Sequence, residues 1–346
     1  MGMKIDAESE MMLRYISEDF VLITGDGEEH AFHIAKGRRL LRKGFRSHCA
    51  HRYGKILVVD DDGKEEQKPS GDVWWEWDST HRREAMYVTM QPTTKSEADD
   101  DPDIFNLWHE RKKEMAEPNM SATLEDVQIL LDHLMYISDG DQIGVQYFLN
   151  WLAQLYQTPG IKIPVAILMY SEKAGVGKSS LHKLISRVFG PSMVTSCTGA
   201  QLAKQFNDVI EHRRMVFVNE MPKSEKADHY ERFKNDVSEE FVHFEGKGRA
   251  SKEIRNIAHY IISTNHKDAL PLMKGDRRIC ALVCTADRKP DEYYQNLIPW
   301  MESEGPALLA GVLAQWKFPA EWDPYAPAPQ TEAAPHSTWN YGPTLT

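Results

Sequence analysis

Residues 165–188 read VAILMY, then SEKAGVGKSS, then LHKLISRV, and the order of these three parts decides the fold. Val165 to Tyr170 is an apolar run of strand length, and Leu181, Leu184, Ile185 and Val188 recur at helical spacing. Between them lies a glycine loop. Strand, glycine loop and helix in succession form the setting in which Gly-x-Gly-Lys-Ser holds phosphate. Glycines let successive backbone N–H groups converge on phosphate oxygens, and the start of the helix adds partial positive charge. Ala174, Gly175, Val176, Gly177, Lys178, Ser179 and Ser180 are therefore expected to wrap the phosphates of ATP. Lys178 should reach the β and γ phosphates, and the Ser179 hydroxyl should hold Mg2+. The strict pattern has another glycine five residues before Gly177, where this chain carries Glu172.

Such a loop fits kinases, GTPases and motors equally, so discrimination has to come from further along. Arg214 to Glu220, RMVFVNE, predicts a second buried strand ending in an acid. An ATPase motor needs a carboxylate at the tip of a strand beside the phosphate loop, to orient the attacking water. Glu220 is the candidate for that role, and Asn219 stands where an aspartate would more usually help hold the metal. The expected metal ligands are thus Ser179, Asn219 and Glu220. A third strand, AHYIISTN, ends at Asn265, whose amide could sense the γ-phosphate. Next comes Gly275-Asp276-Arg277-Arg278, ahead of the strand ICALVC. An arginine there could reach a nucleotide bound to a neighbouring subunit and neutralise charge in the transition state. Singly, each has a plainer reading: a solvated Asn-Glu turn, a strand-end cap, a surface arginine pair. Their order behind a phosphate loop favours the chemistry.

This assembly of motifs resembles the superfamily 3 helicases, and among them the helicase domain of phage and plasmid primase-helicases. FNLW at 105–108 is similar to an element that precedes the ATPase in such proteins, and the stretch from Tyr147 to Pro159 to their helical approach. GPALL at 305–309 and APQTE at 328–332 are similar to their closing segment. The resemblance runs from about residue 104 to 332. It implies an α/β fold with a P-loop, AAA+-like core: a parallel sheet between helices, assembled as a hexameric ring that binds Mg2+–ATP between subunits. It further implies movement along single-stranded DNA, or RNA, gripped by a pore hairpin. Here that hairpin would be Phe241 to Arg255, with Lys247, Arg249 and Lys252 holding the strand. Glu245 and Glu253 interrupt this basic run, so an ordinary surface turn is the alternative.

The chain divides on this reading into a small α+β region (1–103), a helical segment (104–160), the ATPase core (161–318) and an extended or disordered tail (319–346). His33 to Arg46 is rich in basic residues and reads as helical, and Lys95 to Asp103 as a linker. The acids after Val59 read as a hairpin turn rather than a polymerase metal site, so no priming activity is expected. His30, His33, His48, Cys49 and His51 fit no standard zinc spacing. Cys280 and Cys284 should lie on one side of a strand as buried thiols.

A formal net charge of −11 argues against a protein that coats DNA with its whole surface, though a ring needs only local positive charge. No run approaches the ~18 apolar residues of a membrane span. Cytoplasm, that of the host if phage-encoded, is the expected location. Two rival functions stay open. One is an ATP-switched binding or assembly protein, a replication initiator or defence regulator, that unwinds nothing. The other is a small-molecule phosphotransferase, which would need no neighbouring subunit.

Overall fold

The computed structural model describes residues 4–25, 27–59, 63–78, 82–202, 210–219, 227–244, 252–266 and 276–330. The chain forms two compact units, one of residues 1–91 and 95–110, the other of residues 92–94 and 111–346.

In the first unit, β1 (Lys4–Ile5) leads into α1 (Ala7–Asp19), whose start is capped by Asp6 accepting from Ser9 N at 2.7 Å. Then come β2 (Phe20–Ile23), β3 (His30–His33), β4 (Arg38–Leu41), α2 (Arg42–Arg52), β5 (Lys55–Val59), β6 (Glu65–Pro69) and α3 (Ser70–Trp75). β7 (Glu84–Ala85), β8 (Tyr87–Thr89), β9 (Ile104–Asn106) and the short α4 (Trp108–Arg111) follow. They form sheets in the orders β4-β3-β2-β7 and β1-β5-β6 and the two-stranded pair β8-β9. Phe20, Phe45 and Trp74 are fully buried in one shared core, and Trp74 donates its indole N–H to Ser17 Oγ at 2.8 Å.

Two expectations change here. The basic stretch from His33 is not one helix: Gly37, at φ 60°, turns the chain so that β4 pairs antiparallel with β3, and helix begins only at Arg42. β9 pairs in parallel with β8 and belongs to the first unit, so the division between units falls after Glu110. Asn106 is the reason for its place, bridging both N–H and C=O of Gln91 at 3.0 Å.

The second unit opens with α5 (Gln128–Tyr136) and α6 (Gln142–Gln157), separated by Asp139 at φ 51° and Gly140 at φ 85°. Five strands follow: β10 (Ala166–Ser171), β11 (Val194–Thr198), β12 (Met215–Asn219), β15 (His259–Thr264) and β16 (Ile279–Cys284), with the hairpin β13 (Phe241–Phe244) and β14 (Lys252–Arg255) inserted. The five lie in the order β11-β12-β15-β10-β16, and every pairing is parallel. The helices are α7 (Ser180–Phe189), α8 (Gly199–Leu202), α9 (Ala227–Ser238), α10 (Asp291–Glu302) and α11 (Gly305–Ala314).

Side chains on β10 alternate between two cores, as the twofold repeat of a strand requires. Ile167 and Met169 join α5, α6, α7, α10 and α11 on one face, while Ala166 and Leu168 meet Phe233 and Val237 of α9 on the other. Burial on both faces explains why these strands read as unbroken apolar runs. Cys280 and Cys284 are fully buried on the first face. Beyond Lys317 the chain does not become loose at once. Trp322 stacks on Phe318 and donates to Gln154 Oε1 at 3.0 Å, and Ala328 N bonds Arg277 O at 2.7 Å. Residues 331–346 lie outside the described residues.

Candidate nucleotide site

All five strands run the same way, so one edge of the sheet gathers their C-terminal ends: Ser171, Thr198, Asn219, Thr264 with Asn265, and Cys284. In open parallel sheets this is the edge where ligands sit. The loop Glu172 to Ser179 leaves β10 there and runs into α7.

Gly175 and Gly177 hold φ of 78° and 101°, a region other residues rarely adopt. A Cβ on Gly177 would lie 2.7 Å from His133 Cε1, and one on Gly175 would lie 3.1 Å from Arg288 Cδ. The loop is thus braced from outside as well as bent from within. His133, on α5, is buried and points Nδ1 at the Tyr293 hydroxyl, 3.0 Å away. Burial holds its pKa down at about 4, so the ring stays neutral at physiological pH.

Lys178 is buried, and its ammonium donates to Ser171 Oγ. Burial lowers its pKa below the ordinary lysine value. The Asn265 amide donates to Ser171 O at 2.9 Å and reaches Ser171 Oγ at 3.2 Å. Ser171 Oγ in turn donates to Lys173 O at 2.7 Å. One buried serine at the end of β10 therefore joins the lysine of the loop to the amide at the tip of the next strand. Ser179 is exposed and forms no capping hydrogen bond at the start of α7, which leaves its hydroxyl for a ligand. Ala174 is exposed and Val176 buried, so the loop is anchored at one point and open at the other. Ser180 Oγ bonds Gly177 O and closes the first turn.

On the other side of β10, the segment after β16 lies along the loop. Lys173 is ion-paired with Asp287, and the Arg288 guanidinium lies 4.9 Å from the Tyr294 ring centre. Lys289 lies 5.0 Å from the Tyr136 ring, whose hydroxyl donates to Asp287 O at 2.7 Å.

The remaining candidates divide by place. Asn219 ends β12, which is separated from β10 by β15; the strand beside the loop on that side is the one ending at Asn265. The expectation of an acid on the adjacent strand is corrected accordingly, because β15, later in sequence than both, inserts between β12 and β10. Glu220 lies outside the described residues. Arg277 and Arg278 sit at the opposite, N-terminal edge, where Arg278 O accepts from Ala166 N at 2.8 Å. Arg277 is exposed, and Asp276 accepts the Arg278 backbone N–H at 2.8 Å. Within the stretch Phe241 to Arg255, β13 and β14 pair antiparallel, with Phe244 opposite Lys252. Lys247 and Arg249 lie outside the described residues, as does the Lys252 side chain.

Sequence reasoning did not pick out Ser171, His133 or Arg288 as parts of this site. His133 precedes Gly177 by 44 residues, and no local pattern marks it. Among the described residues no group of three or more His, Cys, Asp or Glu is placed to hold a metal, and no helix is long and apolar enough to cross a membrane.

Comparison with known proteins adds the following. Residues 169–278 match a family of unknown function (DUF5906), and this match covers the loop, β12, the hairpin, β15 and both arginines. A DNA primase-polymerase of Nitratiruptor phage NrS-1 is 28% identical over 194 residues, which is 54% of this chain and 26% of that protein. The chain thus spans about a quarter of the length of this curated relative. The apo structure of the NrS-1 C-terminal region superposes with a TM-score of 0.64 at 18% identity, over 90% of this chain and 70% of that one. A second structure of that region gives a TM-score of 0.59 at 21% identity, over 81% and 68%. The chain shares the fold of that region.

Proposed function

We propose that this chain is a Mg2+–ATP-dependent translocase or helicase that works as a head-to-tail ring on single-stranded DNA during phage, plasmid or mobile-element replication. One observation carries the reading. Lys178 and Asn265 meet on Ser171 at one edge of the sheet, while Arg277 and Arg278 stand at the other. At about 3.3 Å per residue, the six residues of β10 separate these edges by roughly 17 Å. An arginine at the far edge does not reach the phosphates of its own loop. If it acts on a nucleotide, that nucleotide is the next copy's, and a head-to-tail contact that closes by rotation makes a ring.

In the working site, the backbone of Gly175 to Lys178 would cradle the phosphates and Lys178 would move from Ser171 to the β and γ oxygens. Mg2+ would be held by Ser179, with Asn219 and Glu220 through water, and would neutralise charge on the bridging oxygens. Glu220 takes the proton of the attacking water, and Asn265 holds the γ-phosphate through its amide. Tyr136, Lys289 and Arg288 flank the loop where a nucleoside would extend. The kinship with a phage DNA primase-polymerase supports a place in phage DNA replication. The hairpin from Phe241 to Arg255 is the proposed strand grip, with Lys247, Arg249 and Lys252 as its cations.

Asn219, in place of an acid, and the net charge of −11 favour a second reading, an ATP-switched assembly factor without unwinding. A forked-DNA displacement assay with Mg2+–ATP separates the two. Wild-type chain should displace the strand, and Glu220→Gln should bind ATP while failing to hydrolyse it. Turnover that ignores DNA, with no displacement, would favour the switch.

A further inference from the structure

The first unit carries a concentrated basic surface that the nucleotide site leaves unexplained. No Asp or Glu occurs between Glu29 and Asp60, whereas Lys36, Arg38, Arg39, Arg42, Lys43 and Arg46 fall within eleven residues of a chain whose net charge is −11. The fold keeps these cations together. Lys36 lies in the β3–β4 turn, Arg38 and Arg39 lie on β4, an edge strand, and α2 begins at the next residue after that strand. Along α2, Phe45 and Cys49 face the core, and Arg42, Lys43, Arg46 and Ser47 are exposed.

We propose that this surface binds the phosphate backbone of double-stranded DNA. Three observations select that partner. First, two of the three arginines of α2 are held in position: Arg42 by Glu76 at 2.6 Å and by the Trp75 ring at 5.8 Å, Arg46 by Asp72 at 2.9 Å. Both pairs are exposed, so their attraction is weak and a phosphate can take the carboxylate's place. Second, the large rings packed beneath α2, Phe45, Trp74 and Trp75, are all buried and offer no platform on which a single strand could stack. Charge without stacking suits a duplex, which presents one negative charge per ~1.7 Å of axis. Third, the apolar side of α2 is committed to the core, so the helix has no face to lay into a bilayer.

This surface belongs to the first unit and the loop to the second, and its test needs no nucleotide. Lys36, Arg38 and Lys43 form no ion pair among the described residues, so a Lys36→Gln, Arg38→Gln, Lys43→Gln variant of the full chain breaks no contact that orients its neighbours. Binding of a fluorescent duplex is followed by anisotropy across a salt series. Each lost phosphate contact should reduce the slope of log K against log salt by about 0.9, so the variant's slope should fall by roughly 2.7. Affinity at low salt should drop roughly tenfold or more, with thermal midpoint and basal ATPase unchanged. An unchanged slope and affinity overturns the proposal, as does tighter binding of the wild type to polyglutamate or to anionic phosphatidylserine vesicles than to duplex. Absent ATP turnover with duplex binding lost in the variant would sink the motor reading and leave this one standing.

Discussion

Two lysines of the second unit are almost equally buried, Lys178 at 7% and Lys162 at 8% exposure, and they sit at opposite ends of the parallel sheet. Lys162 donates to the carbonyls of Asp236 and Ala258, tying α9 to the start of β15. Arg214 does similar work beside it, donating to Leu155 O at 2.7 Å and Pro159 O at 3.2 Å. These cations are consumed by backbone oxygens of the fold. Lys178 instead rests on a serine hydroxyl, a single neutral acceptor that the phosphate of the proposed function would outcompete. Burial alone therefore does not mark a functional cation. What marks it is an acceptor weak enough to be exchanged.

The sharpest way to break this contrast is to remove each lysine in turn. Lys178→Ala should cut ATP turnover by roughly 10²–10³-fold, the usual cost of losing one preorganised charge at a reacting phosphate. Its thermal midpoint should stay close to the wild type. Lys162→Met should do the reverse, lowering the midpoint while leaving nucleotide affinity as it is. Should Lys162→Met impair binding and Lys178→Ala only stability, the two ends of the sheet have been assigned backwards.

A smaller effect tests the far edge. Lys178→Ala and an Arg277→Ala, Arg278→Ala double variant should each be inactive alone. In a randomly mixed ring, half the loops are intact and half of their neighbours carry arginines. Mixing equal amounts should therefore restore about a quarter of wild-type turnover. No recovery on mixing would place the arginines outside the chemistry.

What the sequence made legible follows the range of each interaction. The glycine loop between strand and helix was readable because the proposed chemistry is contiguous: glycines, lysine and serine fall within ten residues, between a strand and a helix that announce themselves by period. The strand ends at Asn219 and Asn265 were readable for the same reason. Their spatial order was not, since apolar runs do not say which strand lies beside which, and β15 inserts next to β10. His133 and Arg288 brace the loop from helix and strand ends far away in the chain, so no spacing rule reaches them. In the first unit, a single glycine at 37 divided a basic stretch into strand and helix, and composition alone carried no sign of the break.

The least of the expected effects is the most diagnostic of why Lys162 and Lys178 differ. Burial pulls the Lys162 pKa from 10.5 down to about 7 in the folded chain. Below pH 7 both folded and unfolded chains hold this proton, and the cost of burying the charge is felt in full. Between about pH 7 and 10.5 the folded chain has released a proton that the unfolded chain keeps, so stability rises with pH, by at most about 1.4 kcal/mol per unit. The buried thiols work against this only higher up, since Cys49 and Cys197 are raised from 9.0 to about 12 and about 11. Urea unfolding of wild type and Lys162→Met from pH 7 to 9 should therefore give curves that diverge, the wild type climbing further above the variant as pH rises. Parallel curves would mean that Lys162 keeps its proton inside the fold. The carbonyls of Asp236 and Ala258 would then compensate its charge fully, and the weakness of the Ser171 acceptor, rather than any shared cost of burial, would be all that distinguishes Lys178.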